Sequence, residues 1–183
     1  VIGKARNTGG EDWFTGNASS GFNKYIKINS DHAAQTFSGV FNDTAPSSTV
    51  VTLGNNGIAN SSSYNYIMYC FSEVKGYSKI GGYTGNGNAD GIFVYTGFRP
   101  AWVMIKKSSG TNEWGIWDNK RSTFNVTDDI IYANLDNTEA TSNANGLDFV
   151  SNGFKIRASG DLFNANGGSY IYMAFAESPF VNS

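Results

Sequence analysis

The sequence predicts an all-β fold, an antiparallel β-sandwich or jelly-roll-like arrangement made of two tandem related modules. Three observations predict it: the composition, the spacing of short apolar runs, and an internal repeat. Among 183 residues there are 13 Phe, 10 Tyr and 4 Trp but only 4 Leu, beside 22 Gly, 22 Asn, 20 Ser and 13 Thr. Leucine favours helices and Gly, Asn, Ser and Thr disfavour helix interiors, whereas aromatic and β-branched side chains suit the half-buried surface of a sheet. Helical bundles, coiled coils and ordinary α/β enzymes are thereby excluded, and the 40% hydrophobic content is too high for a disordered chain. Short strand-like runs recur at a spacing of roughly 8–12 residues, the rhythm of sandwiches and jelly rolls.

The repeat orders the elements along the chain. Glu11-Asp12-Trp13-Phe14 parallels Asn112-Glu113-Trp114-Gly115, and residues 29–36 echo residues 134–141. Residues 54–60 stand against 158–164, and Tyr66-Ile67-Met68-Tyr69-Cys70-Phe71-Ser72-Glu73 reads against Tyr170-Ile171-Tyr172-Met173-Ala174-Phe175-Ala176-Glu177. This divides the chain into a first module, 1–74, and a second, 75–183. The second carries extra leading strands at 78–83 and 91–96. The first begins with Val1 aligned to Val103, and counterparts of those strands are expected either upstream, in a longer polypeptide, or from a neighbouring chain.

Within the second module, Ile92-Phe93-Val94-Tyr95, Trp102-Val103-Met104-Ile105, Trp114-Gly115-Ile116-Trp117 and Phe154-Lys155-Ile156-Arg157 read as strands. Phe98-Arg99-Pro100 interrupts pairing and starts a new direction, because proline cannot donate to a ladder. Asn145-Gly146, Asn152-Gly153 and Asn166-Gly167 read as tight turns, since Asn and Gly tolerate positive φ. Residues 127–134 are the single helical candidate. Both faces of 170–177 are apolar, the pattern of a strand covered on both sides, and 66–73 is expected to match it, with Cys70 as a buried small hydrophobe. Glu73 and Glu177 close the two runs, which favours a repeated structural role such as a buried hydrogen bond over catalysis.

Charge and rare residues narrow the chemistry. Thirteen basic and 15 acidic residues leave a net charge of −2, with no basic cluster, which excludes nucleic acid as a partner. The apolar runs of about six residues are far below the ~20 that span a bilayer, so no membrane insertion is expected. The single cysteine excludes an intrachain disulfide, and one His with one Cys excludes a zinc site. His32 lies in Ser30-Asp31-His32, but without a nucleophile elbow or oxyanion motif it reads as an exposed loop histidine. The paired carboxylates Glu11-Asp12 and Asp128-Asp129 read as solvated turns. No cofactor is implied, and the chain reads as non-enzymatic.

Two binding features remain. Asn86-Gly87-Asn88-Ala89-Asp90-Gly91 matches the first half of a calcium loop, with Asn86, Asn88 and Asp90 as oxygen ligands, but Gly97 occupies the place of the closing Glu. A hairpin loop is therefore favoured there over a metal site. Trp102, Trp114, Trp117, Tyr77, Tyr83 and Tyr95 are enough aromatic residues to stack on a host-surface glycan if some rings are exposed, with Trp102, Trp114, Trp117 and Tyr83 the leading candidates. Trp114 and Trp117 point to opposite faces of one strand, and both are core residues only if that strand is sandwiched.

The second module also carries a family resemblance. Gly76-Tyr77-Ser78-Lys79-Ile80-Gly81-Gly82-Tyr83-Thr84-Gly85-Asn86-Gly87, then Val94-Tyr95-Thr96-Gly97-Phe98-Arg99-Pro100-Ala101-Trp102-Val103-Met104-Ile105-Lys106, resembles an uncharacterised β-rich domain of tailed-phage virion proteins. The likeness continues through Asp148-Phe149-Val150-Ser151-Asn152-Gly153-Phe154-Lys155 and residues 170–177. Such domains occur in tail-fibre-like and other appendage proteins, notably of marine and cyanobacterial phages. The resemblance implies a virion structural or adhesion role at the particle surface, with copies of itself, other virion proteins or a host glycan as partners. It supplies no catalytic residue. A capsid-decoration protein completed by strand exchange with a neighbour is the further alternative.

Overall fold

The structure is a computed structural model and describes residues 1–178. Every strand pairing in it is antiparallel, and the strands fall into three sheets. The chain is all-β, with helices of a single turn only. Sheet I contains β1 (Ile2–Ala5), β2 (Phe14–Thr15), β3 (Lys24–Lys27), β4 (Gln35–Thr36) and β5 (Tyr66–Tyr69), in the order β4-β3-β2-β1-β5. Two one-turn helices, α1 (Ser38–Phe41) and α2 (Gly57–Asn60), lie on one of its faces. Sheet II contains β6 (Ser78–Thr84), β8 (Pro100–Lys107), β9 (Trp114–Asp118), β10 (Asp129–Tyr132), β11 (Ala140–Thr141) and β14 (Ser169–Ala176). Its order is β11-β10-β9-β8-β14-β6. Sheet III is formed by β7 (Phe93–Tyr95), β12 (Leu147–Val150) and β13 (Gly153–Ile156), in the order β12-β13-β7, and a third one-turn helix, α3 (Asp161–Asn164), precedes β14.

Side-chain alternation sets the layers. Val103 and Ile105 of β8, Trp117 of β9 and Tyr170, Tyr172 and Ala174 of β14 point toward sheet III, where they meet Val94, Leu147, Phe149, Phe154 and Ile156 in the largest core. The intervening residues, Met104, Trp114 and Ile171, point the other way and pack on Ile26 of sheet I. Sheet II is thus covered on both faces, and its central strands carry apolar residues at successive positions. Trp114 and Trp117, 3% and 1% exposed, are both core residues for this reason. Tyr25, next to Ile26, turns to the far side of sheet I with Phe14, Val40, Phe41, Ile58 and Ala59.

The segments paired in sequence occupy corresponding places. β1, β2, β3, β4 and β5 hold the same order in sheet I as β8, β9, β10, β11 and β14 in sheet II. The hydrogen bonds also recur. Trp13 N donates to Asn29 Oδ1 at 2.9 Å and Trp114 N to Asn134 Oδ1 at 3.0 Å. Asn60 Nδ2 donates to Gly54 O at 2.9 Å, and Asn164 Nδ2 to Ala158 O at 2.7 Å. Tyr66 and Tyr170 each donate a hydroxyl to the first residue of the preceding helix, Gly57 and Asp161, and each accepts from the amide just after it, Ser61 and Ala165. The cores differ by an exchange of volume. Phe14 stacks over Gly3 near Ala59 in the first core, whereas Gly115 and Phe163 lie beside Ile105 in the second. A Cβ on Gly3 would come within 2.2 Å of the Phe14 ring, and one on Gly115 within 2.4 Å of the Phe163 ring. One phenyl group fills the space in each core, supplied by a strand in one and by a helix in the other.

Four expectations are corrected. Residues 127–134 do not form a helix. They contribute β10, because Ile130 alternates into the main core while Asp129 and Ile131 face outward. Residues 66–73 are not covered on both sides. β14 lies between β8 and β6, but among the described residues β5 pairs only with β1, and it ends after four residues with Tyr69, Cys70 and Phe71 exposed. Glu73 and Glu177 make exposed ion pairs with Lys79 and Lys120 rather than buried hydrogen bonds. The 86–91 loop is no hairpin, since it carries the chain from sheet II to sheet III.

Candidate functional site

The four aromatic residues expected to stack on a glycan have different surroundings. Trp117 is packed edge-on against Phe163, ring centroids 4.6 Å apart. Trp114 donates its Nε1 proton to Lys27 O of sheet I at 2.9 Å, tying two sheets together. Tyr83 lies flat on Tyr170 at 4.9 Å and donates its hydroxyl to Phe163 O at 2.6 Å. Burial, with Tyr170 alongside, pushes the Tyr83 phenol well above its ordinary value. Tyr83 is half-buried with one face taken by Tyr170, while Trp114 and Trp117 are buried, give no free face to a sugar and are structural residues. The reason is the sandwiching of sheet II, which turns aromatic residues on both of its faces into core.

Trp102 lines a cleft of about 580 Å³ where sheets I and II diverge, with Trp13, Tyr69, Phe71, Met173 and Phe175. Trp102 and Phe175 are 5.7 Å apart, and Phe71 meets its repeat counterpart Phe175 at 6.1 Å. Beyond the Tyr69 hydroxyl and the indole N–H groups of Trp13 and Trp102, the lining residues offer one polar side chain, Asn29, whose amide is already engaged by Trp13 N and Asp12. A sugar needs several directional partners as well as a ring. This cleft therefore suits apolar groups better than a glycan.

The outer face of sheet III has the opposite character. On β7, Val94 enters the core, leaving Phe93 and Tyr95 outward, 45% and 64% exposed. Across the ladder, Phe93 faces Lys155 and Tyr95 faces Gly153. Gly153 cannot carry a side chain, because a Cβ would come 2.0 Å from Val94 O and 3.0 Å from the Phe93 ring. A charged row flanks the rings: Lys155 bonds Asp90 at 2.5 Å, and Arg157 joins Asp148 at 2.5 Å. Exposed rings beside fixed donors and acceptors are what carbohydrate stacking requires. The period-two alternation of Ile92-Phe93-Val94-Tyr95 is the sequence signal for this face, but deciding which residues point out required the partner strand.

The other candidate residues are scattered rather than gathered into one site. In the 86–91 loop, Asn86 Oδ1 accepts from Asn88 N and Asn164 Nδ2, and Asn88 Oδ1 accepts from Asp90 N. Asp90 is already paired through Oδ1 with the Lys155 ammonium at 2.5 Å, which holds its carboxyl below the usual range. Among the described residues no group of three or more His, Cys, Asp or Glu side chains is placed to hold a metal ion. His32 is exposed, and its Nδ1 sits 2.6 Å from Ser30 Oγ within one turn. Cys70, expected to be buried, is exposed. Lys106 is fully buried between sheets I and II and donates to Lys107 O at 2.6 Å. Burial lowers its ammonium to about 8, against the pull of Asp31 and Glu113. Among the described residues no helix is long and apolar enough to cross a membrane.

The model of a family described as Domain of unknown function (DUF7483) matches residues 1–179, and the chain belongs to that family. No curated protein and no solved structure matches it.

Proposed function

We propose that the chain is a non-enzymatic structural and adhesion module at the surface of a tailed-bacteriophage particle, in a tail fibre, capsid fibre or similar appendage. In this reading it consists of two copies of one β unit, 1–74 and 75–183. The observation that carries the proposal is the recurrence of strand order and cap hydrogen bonds in sheets I and II. Tandem units of short, turn-linked strands suit stiff extracellular appendages, and the resemblance of the second unit to virion domains points the same way. Copies of this chain and other virion proteins are the partners it implies. Immunogold labelling of purified virions tests it: antibody to this chain should decorate an appendage, and unlabelled particles would refute the assignment.

A second reading, a host-glycan-binding module, is favoured by the exposed Phe93 and Tyr95 beside the Lys155, Asp90 and Arg157 row. It moves the stacking surface from the buried tryptophans to sheet III. Tyr95→Ala should abolish binding on a glycan array while Trp117→Ala should lose binding only with the fold. An array silent for the unmodified chain would remove this reading.

A further inference from the structure

We infer that the outer edge of β5 is a receptor for an extended strand patterned like β6, presented by a neighbouring protein. The chain holds its own template for this contact. β14 corresponds to β5, and its outer edge is covered by β6 over seven antiparallel positions, with Tyr170 opposite Tyr83 and Tyr172 opposite Gly81. Among the described residues the same edge of β5 has no strand beside it.

Geometry fixes which groups await a partner. Arg6 N donates to Asn65 O, so alternation along the β1–β5 ladder bonds Lys4 to Ile67 and Ile2 to Tyr69 and turns the N–H and C=O of Tyr66 and Met68 outward. Among the described residues these outward groups meet no other backbone. In sheet II the matching residues, Tyr170 and Tyr172, face β6.

Side chains repeat the message. Tyr69, Phe71 and Val74 are 46%, 42% and 48% exposed, and Val50, across a cavity of about 600 Å³ beside Cys70 and Phe71, is 59% exposed. Proteins protect exposed edges with charges, prolines or very short strands. β6 carries Lys79, and β4 and β11 have two residues each, but Tyr66-Ile67-Met68-Tyr69-Cys70-Phe71 has none of these devices.

The template also specifies the occupant. The incoming strand runs antiparallel to β5 and places a tyrosine opposite Tyr66, as Tyr83 stands opposite and stacked on Tyr170. Its next residue but one toward its own N-terminus is glycine, as Gly81 is, leaving room for Met68 where Tyr172 OH would lie 2.9 Å from a Cβ. The inference concerns strand pairing and stands whether or not the chain is carried on a virion.

The test uses a fluorescent peptide with the sequence of residues 76–87 and the intact chain. Fluorescence anisotropy should show saturable binding, weakened at least tenfold by Tyr83→Ser in the peptide and abolished by scrambling it. Met68→Pro in the chain removes an outward N–H without touching the β1 ladder and should abolish binding. Cys70→Lys, which places a charge beside the open edge, should weaken binding even if the proline variant fails to fold. Equal binding of native and scrambled peptides would overturn the inference. Binding that survives both chain variants, which would locate the peptide on β14, would overturn it too. So would a chain that pairs β5 with β5 of a second copy in sedimentation experiments and ignores the peptide. Virion labelling is independent of all these outcomes.

Discussion

Asn164 concentrates much of the second core's polar chemistry in one side chain. Fully buried, it donates to Asn86 Oδ1, Asn88 O and Ala158 O and accepts from Asn86 N, so it joins α3 to the 86–91 loop. Its counterpart Asn60 is exposed and keeps only the bond to Gly54 O. Removing a buried amide strands its partners as well as losing its own bonds. Asn164→Ala should therefore cost about 3 kcal/mol or more in urea denaturation, and Asn60→Ala about 1 kcal/mol. Lys106 predicts a pH dependence. Its folded ammonium titrates near 8 against a reference of 10.5, so between those values the unfolded chain holds more protons and stability rises with pH. The rise should be on the order of 2 kcal/mol once solvent screening is allowed for, and absent in Lys106→Met. Denaturation should be followed only to pH 10, since tyrosines such as Tyr172, raised to about 12 by burial, reverse the slope beyond it. At this scale the sequence was legible where residues recur: the Asn29/Asn134 and Tyr66/Tyr170 pairs were marked by alignment. It was not legible for Trp114, Trp117 and Tyr83, because exposure depends on which sheets cover a strand.

Among elements, β5 and β14 separate what a sequence specifies from what its neighbours decide. Their residues are nearly the same type at each position, yet β14 runs for eight residues and β5 for four. Strand length here follows the partner strands: among the described residues β14 is held by β8 and β6, β5 by β1 alone. Native-state hydrogen exchange should report this difference. The amides of Tyr66 and Met68 should exchange without global unfolding, while those of Tyr170 and Tyr172 should exchange only through it. Strand runs such as those at β8, β9 and β13 could be read directly, since β-branched and aromatic residues bounded by turns leave little choice. β10 was harder, because Asp128-Asp129 followed by Ile130-Ile131-Tyr132 also suits a first helical turn with acidic residues. The burial of Ile130 between sheets resolves it. The one-turn helices were invisible as helices, having too few residues to show a period.

At the scale of the whole molecule, sheets I and II pack through matching faces. Ile2 and Met104, Tyr69 and Met173, and Phe71 and Phe175 are matched pairs, and all line the cleft of about 580 Å³ between the sheets. Backbone bonds from Ala34 N to Ser108 O and from Asn112 N to Asp31 O add a second tie, and Trp114 Nε1 to Lys27 O a third. A structure joined this way should behave as one cooperative body. Composition and repeat made the all-β class and the paired segments legible. The packing of one sheet on the other was not legible, because Ile26, Met104 and Ile171 carry no mark distinguishing an inter-sheet contact from an ordinary core position. The most direct test is urea unfolding of the Ile26→Ala variant, followed residue by residue in amide spectra. Truncating this buried contact should cost about 2–5 kcal/mol. If the two sheets form one body, the amides of Phe14 in sheet I and Phe154 in sheet III will vanish at the same, lowered urea concentration. Loss of Phe14 while Phe154 persists at its original midpoint would contradict the account.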